Sequence, residues 1–340
     1  MHTTATTRGR ISPDGVHALQ AWKPLILGMV IAALCGAALW GWTPTDVSNP
    51  GCRSSGNAAW ISVDWTSQPV DEIAVQRLVA SAVRRKIRYL FPYVSYLKAD
   101  GTFSLSHDHA PEFVDAVRKQ DDEIAVLAWI GLPLQSRGMG IQGWVDLSQP
   151  ATRRKIVDYA GIIVQRAGFD GIHINAETVL NDSPGFLLLL EELRARLGAE
   201  KIISVAGSHW VSDFANALPP IRDLLWTDTY YQAVGARVNQ IATMTYDSHM
   251  PLGELYRLWM REQVKAITRS LAHSSAELLV GISVSRESTP SHVPAVENLE
   301  NGLAGMCAGV SGSTSVRGAA VYADWEFTQA DEEVWRRWQR

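Results

Sequence analysis

From Asn57 to its end, the chain alternates short strand-like segments with helix-like segments. The strand-like segments are apolar, and each precedes a stretch in which apolar residues recur at helical spacing. Eight strands are predicted, at 58–64, 87–93, 124–130, 169–177, 202–206, 240–246, 278–284 and 319–323. Such alternation requires a parallel sheet, and eight β/α units need roughly 250 residues to close on themselves. The sequence therefore predicts an α/β fold with a single (β/α)8 TIM barrel over residues 57–340.

The open, doubly wound sheet is the alternative architecture for a β/α chain. That fold usually carries a glycine-rich phosphate turn after its first strand, whereas Asp64-Trp65-Thr66 follows the first strand here. Composition excludes other classes, because 19% charged and 46% hydrophobic residues are ordinary for a globular protein and atypical of a disordered one. The net charge of −4, with no long basic block in the sequence, argues against a nucleic-acid partner.

The segment 24–42 carries no charged residue, and its length just spans a hydrocarbon core of roughly 30 Å. Residues 1–23 are polar and net basic, so the positive-inside rule places them in the cytoplasm. We therefore predict a cytoplasmic tail over 1–23, a single-pass signal anchor in the cell membrane over 24–42, a linker over 43–56 and an extracytoplasmic barrel. A cleaved signal peptide, favoured by the small residues 36–38, and a buried soluble helix are the alternatives.

Polar side chains share one face of the fourth predicted strand, Phe169–Glu177. Because side chains alternate along a strand, His173, Asn175 and Glu177 point the same way, opposite to the isoleucines between them. The apolar face suits the ring of helices, so the polar face points into the barrel, where an unpaired polar group costs several kcal/mol. A functional site at the carboxyl ends of the strands explains this pattern, and a buried hydrogen-bond network is the alternative.

The run FDGIHINAE resembles the fourth-strand signature DGxDxDxE of the family 18 glycoside hydrolases, the chitinase-like barrels. Asp170 and the glycine after it match the start of that signature, and Glu177 falls on its final glutamate, the general acid of the family. Tyr246 and Asp247, in the run MTYD, look like the sixth-strand MxYD, whose tyrosine and aspartate flank the reacting sugar. Trp325 follows the eighth strand, where the family places the tryptophan beneath the central subsite.

The chain departs from the signature at two positions, because His173 and Asn175 stand where the family has aspartates. The second aspartate of the family orients the substrate's N-acetyl group, which itself attacks the anomeric carbon. The Asn-x-Glu pair is similar to that of the family 85 endo-N-acetylglucosaminidases. The resemblance thus implies substrate-assisted retaining hydrolysis of a glycan that contains N-acetylhexosamine, with Glu177 as the acid and Asn175 holding the acetamido oxygen. His173 either supports Asn175 through a hydrogen bond or fills the barrel.

Further aromatic residues fall at or just beyond the predicted strand ends, where a flat ring stacks on the C–H face of a sugar or packs in the core. The candidates for glycan contact are Trp65, Tyr93, Trp129 and Trp210, beside His173 and Trp325. No histidine or carboxylate at ligand spacing accompanies His173 in the sequence, so neither a metal nor a cofactor is expected.

Two other functions fit the same residues. The two replaced aspartates favour a barrel that has lost catalysis and binds carbohydrate, and in such a protein Glu177 is dispensable. An ordinary retaining glycosidase would instead pair Glu177 with a nucleophile after the seventh strand, where Glu287 lies, at a carboxyl separation of about 5 Å.

Cys52 and Cys307 are the cysteines outside the predicted anchor, which contains Cys35. Cys52 precedes the first strand, and Cys307 lies in the last turn of the helix before the eighth. Because the first and eighth strands are neighbours in a closed barrel, the two residues can reach the Cα separation of about 5.5 Å that a disulfide needs. An extracytoplasmic compartment permits that bond.

Overall fold

The computed structural model describes Cys52 and residues 54–104, 107–135, 143–219, 222–310 and 316–340. The segment 24–42, predicted as a membrane anchor, and the 1–23 tail lie outside these residues. Within the part that is described, no helix is both long and apolar enough to cross a membrane.

Eight parallel strands of the described chain form a closed barrel, paired in sequence order, with β8 completing the circle against β1. The strands are β1 (Asn57–Ile61), β2 (Ile87–Tyr96), β3 (Ala125–Pro133), β4 (Gly171–Glu177), β5 (Ile202–Gly207), β6 (Gln240–Thr243), β7 (Glu277–Ser283) and β8 (Val316–Tyr322). Ala58 pairs with Ala320 across the β1–β8 seam, and Trp129 pairs with His173 between β3 and β4. The predicted (β/α)8 barrel is confirmed, and the open doubly wound sheet is wrong.

Helices surround the barrel and follow local signals in the sequence. They are α1 (Asp64–Ser67), α2 (Glu72–Arg84), α3 (Ala110–Gln120), α4 (Pro150–Ala167), α5 (Pro184–Leu197), α6 (Asp213–Asn216), α7 (Asp228–Gly235), α8 (Gly253–Ser270), α9 (Leu299–Gly309) and α10 (Gln329–Gln339). Asp71 caps α2 by accepting from the backbone N–H of Ile73 at 2.9 Å. α4 has proline at its first turn and ends before Gly168, which adopts a left-handed φ of 74°.

Small and large side chains fill the inside of the barrel. The buried interior cluster consists of Ala58, Trp60, Phe91, Leu127, Ala242, Leu279 and Ala320. On β7, Gly281 permits a close approach: a Cβ atom there would lie 1.8 Å from the Thr243 carbonyl oxygen and 3.3 Å from the Tyr246 ring. The missing side chain therefore lets the end of β6 approach β7 closely.

A disulfide and buried polar contacts hold the beginning of the barrel domain to its end. Cys52 and Cys307 form the predicted disulfide, with Cα atoms 5.0 Å apart. The indole N–H of Trp338 in α10 donates to the Cys52 carbonyl oxygen at 3.1 Å. Arg85, after α2, forms a buried ion pair with Asp324, after β8, at 2.5 Å.

Candidate active site

A cavity of about 380 Å³ opens at the carboxyl ends of the strands, the end where barrel enzymes hold their catalytic residues. Its volume falls within the range of sites that bind small molecules. The wall combines aromatic rings with polar side chains. The polar groups that matter for chemistry are Asn175 and Glu177 on β4, Tyr246 and Asp247 after β6, and Tyr322 on β8.

Asn175 and Glu177 both line the cavity, as the alternation of side chains along β4 predicts. The amide Nδ2 of Asn175 donates a hydrogen bond to Oε1 of Glu177 at 2.7 Å. An amide nitrogen only donates hydrogen bonds, so Oε1 of Glu177 is the acceptor in this contact. The other amide atom, Oδ1 of Asn175, is buried and has no hydrogen-bond partner among the described residues. The pair therefore combines one buried acceptor that lacks a partner with one carboxyl group.

His173 lies deeper on β4 than Asn175, is fully buried and does not line the cavity. Its Nε2 accepts from the indole N–H of Trp60 at 3.0 Å, which leaves the ring proton on Nδ1, 2.9 Å from the Ser204 hydroxyl. The ring stacks on Phe91 with centroids 4.2 Å apart, and burial lowers the pKa of His173 from 6.5 to about 3. Of its two predicted roles, His173 therefore has the barrel-filling one. Its placement among the glycan contacts is corrected, because an enclosed ring has no surface for a sugar.

Tyr246 lines the cavity and stacks on Tyr322 of β8, with ring centroids 4.9 Å apart and planes within 14°. Burial raises the pKa of Tyr246 well above 10, and the neighbouring Tyr322 and Glu177 add to this effect. Burial also raises the pKa of Tyr322. Both phenols therefore keep their protons at neutral pH and are hydrogen-bond donors.

Asp247 lines the cavity with a half-exposed side chain and a left-handed backbone φ of 57°. Burial and the nearby Glu297 raise the pKa of Asp247. One atom each from Asp247, His292 and Glu297 lies within 4.8 Å of the other two, a spacing that could hold a metal ion. Hydrogen bonds explain the grouping without an ion, because Glu297 accepts from the Asp247 backbone at 2.7 Å and from His292 Nδ1 at 3.0 Å.

His209 and Trp226 line the cavity and are missing from the predicted site. The Nε2–H of His209 donates to the Tyr246 carbonyl oxygen at 2.8 Å, and burial lowers the pKa of this histidine. Trp226 is fully buried, and its indole N–H donates to the Val179 carbonyl oxygen at 2.9 Å. The sequence signal for both residues is slight: His209 follows β5 and Trp226 precedes α7, in segments without a periodic pattern.

Three of the predicted glycan-contacting aromatic residues lie at the cavity or beside it. Trp129 lines the cavity, and its indole Nε1 is buried without a hydrogen-bond partner in the described part of the chain. Tyr93 packs edge-on against Trp129 with centroids 5.0 Å apart. Trp325 is 51% exposed and packs edge-on against Tyr322 at 6.0 Å, which places it outside the lining but next to it.

The remaining candidates do not line the cavity. Trp65 in α1 packs against Phe113 of α3 with ring centroids 5.5 Å apart. Trp210 donates its indole N–H to Asp228, the first residue of α7, at 3.2 Å. Packing among the outer helices accounts for both residues. Glu287, the alternative nucleophile, is exposed in the segment after β7.

Three solved structures illustrate what the fold is similar to. A class V chitinase from Pseudomonas fluorescens Pf-5 matches with a TM-score of 0.56 at 13% identity, covering 84% of this chain and 100% of that one. The chitinase domain of the spore coat protein CotE from Clostridium difficile gives 0.45 at 17% identity, covering 69% and 67%. A mutant GH18 chitinase from Cycas revoluta in complex with (GlcNAc)4 gives 0.46 at 17% identity, covering 67% and 68%. At 13% identity the likeness to the Pseudomonas chitinase concerns the fold alone.

The sequence itself supplies the family. No curated protein matches the chain significantly. The family described as Glycosyl hydrolases family 18 matches residues 82–333, which is well over half of the chain and includes β2 to β8. The match extends over the strand that carries Glu177 and the segment that carries Tyr246 and Asp247. This chain belongs to glycoside hydrolase family 18.

Proposed function

We propose that this protein is a membrane-anchored, extracytoplasmic glycoside hydrolase that cleaves glycans containing N-acetylhexosamine by substrate-assisted retaining hydrolysis. The observation that carries the proposal is the pair formed by Asn175 and Glu177. It places a carboxyl group and an unpartnered amide oxygen side by side at a cavity at the catalytic end of the barrel.

The free atom of Asn175 defines how the acetamido group binds. Because Nδ2 is engaged by Glu177, the atom left for the substrate is the acceptor Oδ1, which suits the acetamido N–H rather than its carbonyl oxygen. The sequence-based expectation that Asn175 holds the acetamido oxygen is revised accordingly. A hydrogen bond to the N–H leaves the carbonyl oxygen free to turn towards the anomeric carbon.

The bond changes then balance without an enzyme nucleophile. The acetamido oxygen forms a bond to the anomeric carbon as the bond to the leaving oxygen breaks, and Glu177 gives its proton to that oxygen. The Glu177 carboxylate next takes a proton from water, whose oxygen attacks the anomeric carbon and releases the acetamido oxygen. Two displacements retain the configuration, and the acetamide replaces the second carboxylate of an ordinary retaining glycosidase.

Further donors surround this pair. The phenol of Tyr246 remains protonated because burial raises its pKa well above 10, so it can donate to the acetamido oxygen or to a sugar hydroxyl. The ring of Trp129 also lines the cavity, and its buried indole N–H has no hydrogen-bond partner among the described residues.

The membrane anchor is supported by the uncharged segment 24–42 and by the basic residues that precede it. In this arrangement the barrel lies on the outer side of the membrane, where glycans are found. The predicted disulfide between Cys52 and Cys307 agrees with an oxidising compartment.

Two substitutions test the chemistry, because loss of the Glu177 carboxyl group and loss of the Asn175 amide should have different effects on the kinetics. Glu177→Gln removes the proton donor, so hydrolysis of N-acetylglucosamine oligosaccharides should fall by about 10²- to 10⁴-fold. An aryl glycoside with a good leaving group needs little protonation and should keep part of its first-step rate. Asn175→Ala should slow both substrates and weaken binding of a thiazoline analogue of the cyclised intermediate. The measurement is kcat and KM of the purified variants beside wild type.

Glu287→Gln is the matched control, because it makes the same carboxylate-to-amide change outside the cavity lining. It should retain wild-type rates. Inactivity of this variant would instead favour a two-carboxylate glycosidase that uses Glu177 and Glu287. Wild-type protein that binds oligosaccharides but hydrolyses none of them, with Glu177 dispensable for binding, would make the protein a carbohydrate-binding barrel.

A further inference from the structure

We infer that Glu297 and His292 form a buried pair whose role is to position the Tyr246–Asp247 segment at the cavity. Neither residue lines the cavity, so both are positioning residues and not catalytic ones. This inference rests on the proposed function, because it assigns the pair to the segment that would flank the reacting sugar.

Glu297 lies two residues before α9 and is 1% exposed. Its carboxylate accepts hydrogen bonds from the segment after β6 and from the segment after β7. One oxygen, Oε1, accepts from the backbone N–H of Ser248 at 2.8 Å and from its hydroxyl at 2.6 Å. The other oxygen, Oε2, accepts from the backbone N–H of Asp247 at 2.7 Å and from Nδ1 of His292 at 3.0 Å. Four donors thus converge on one carboxylate. The two oxygens of an ionised carboxylate can accept all four hydrogen bonds, whereas an amide, with one oxygen and one NH₂ group, cannot.

The backbone that Glu297 holds is one that needs support. Asp247 and His249 have φ angles of 57° and 58°, in the left-handed region that non-glycine residues seldom adopt. Such a conformation persists only where surrounding contacts over-determine it. The carboxylate supplies those contacts at Asp247 and Ser248, and the His249 N–H donates to the Ser291 carbonyl oxygen at 3.0 Å. The turn that aims Tyr246 and Asp247 into the cavity is therefore fastened to the segment after β7.

His292 completes the pair and sets its charge. Its Nε2 faces the Ser285 carbonyl oxygen at 3.2 Å, and a carbonyl oxygen only accepts, so this nitrogen carries a proton. Its Nδ1 faces the Glu297 carboxylate, which favours a second proton there. The imidazolium therefore neutralises a carboxylate that is otherwise buried, and its Nδ1 lies 3.8 Å from the carboxylate of Asp247.

The titratable neighbours of the pair determine how pH acts on it. The hydrogen bond to Glu297 raises the pKa of His292 above 6.5, so the imidazolium persists to a higher pH than in a free histidine and is lost as the pH rises through the raised pKa. The positioning is accordingly intact below the raised pKa of His292, as long as Glu297 remains ionised, and weakens above it. The groups that face the pair are Asp247, His209 and Tyr256, and His249 in turn faces Asp247.

Hydrogen exchange tests the inference without requiring activity. In Glu297→Gln, one side of the carboxylate becomes an NH₂ group that faces donors, so the amides of Asp247 and Ser248 should exchange at least tenfold faster. Mass spectrometry of a peptide that covers 244–250 measures this. Glu192→Gln is the matched control: it breaks the 3.0 Å pair with the buried Arg153, between α4 and α5, and should leave the 244–250 peptide unchanged. His292→Gln, which donates one neutral hydrogen bond, carries the same test if Glu297→Gln does not fold.

Kinetics then separate positioning from stability. Glu297→Gln and His292→Gln should each lose at least tenfold in kcat with a smaller change in KM. Glu192→Gln should keep the wild-type kcat even if its Tm is lower. In wild type, protection of the Asp247 and Ser248 amides, corrected for intrinsic exchange, should fall as the pH rises through the pKa of His292. In His292→Gln that dependence should disappear.

Unchanged exchange at 244–250 in folded Glu297→Gln would overturn the inference, and so would wild-type kcat in that variant. Wild-type protein without hydrolytic activity would overturn the proposed function alone, because the exchange measurement would still show whether the pair holds the segment.

Discussion

His173 is the buried group whose protonation most clearly opposes folding. Its Nε2 already accepts from Trp60, so a second ring proton would face a donor, and the ring has no contact with water. Replacing it with glutamine removes the titrating group. At pH 7 His173→Gln should destabilise the barrel by about 2–4 kcal/mol, because the stacking on Phe91 is lost and the Trp60 indole is left without a well-placed acceptor.

The effect of pH follows from the two protonation equilibria. Burial lowers the pKa of His173 to about 3, whereas the unfolded chain has the ordinary value of 6.5. Above pH 6.5 neither state binds the proton, and the stability is complete. Below pH 6.5 the unfolded state binds it and the folded state does not, so the free energy of unfolding falls by about 1.4 kcal/mol per pH unit. Down to pH 3 this amounts to roughly 5 kcal/mol.

The assay is urea unfolding of wild type and His173→Gln at half-unit steps from pH 7.5 to 4. Other acid-sensitive groups, including the buried His209, are common to both proteins and cancel in the difference. The difference in unfolding free energy should be constant above pH 6.5 and should shrink below it, heading for zero between about pH 3.5 and 5. His273→Gln, at an exposed histidine, should give a curve parallel to wild type.

Parallel curves for wild type and His173→Gln would refute the reasoning. That result would mean that the folded barrel binds the proton at His173 as readily as the unfolded chain does. The interior would then have to provide an acceptor for the second ring proton, contrary to the hydrogen bonds described above.

Two further predictions concern the cysteines and the N-terminal segment. Replacing both Cys52 and Cys307 with serine should lower the free energy of unfolding by about 3–5 kcal/mol, because the bond closes a loop with a sequence separation of 255. Urea unfolding measures this, and a loss below about 1 kcal/mol would contradict the chain-entropy argument. Protease added to spheroplasts that express the full chain should digest the barrel and spare residues 1–23, because the uncharged 24–42 segment should hold the tail inside. Full protection of the barrel would show the opposite orientation.

The barrel could be predicted because each of its units carries its own local pattern. α4, for example, has proline at the start, an apolar stripe and glycine at the stop. Strand ends depend on contacts between segments and are less predictable. β6 was predicted to reach Tyr246 but ends at Thr243, where the Thr245 hydroxyl instead of the backbone donates to the Gly281 carbonyl oxygen at 2.7 Å.

The site residues also fall into those that a local pattern predicts and those that depend on contacts between distant segments. Asn175 and Glu177 could be identified because a strand exposes alternate residues to one side, and a polar face inside a barrel is costly without a purpose. The contact between Glu297 and Ser248 joins residues 49 positions apart, and no periodic pattern marks the segment around His292. Exposure of Trp325 beside the cavity, and enclosure of His173 beneath it, depend on packing from several strands at once.

The disulfide closes most of the barrel domain into a covalent ring as well as joining its two ends. Strands β1 to β7 all lie between Cys52 and Cys307, so the disulfide makes this stretch a covalent ring. β8 lies outside the ring and completes the barrel through its hydrogen bonds to β1 and β7. A protease that cuts one exposed loop within the ring opens it without releasing a fragment, because both pieces stay joined through the sulfur atoms. Separation of the pieces takes a second cut or a reductant, so the nicked domain keeps every strand of the barrel within reach of its partners.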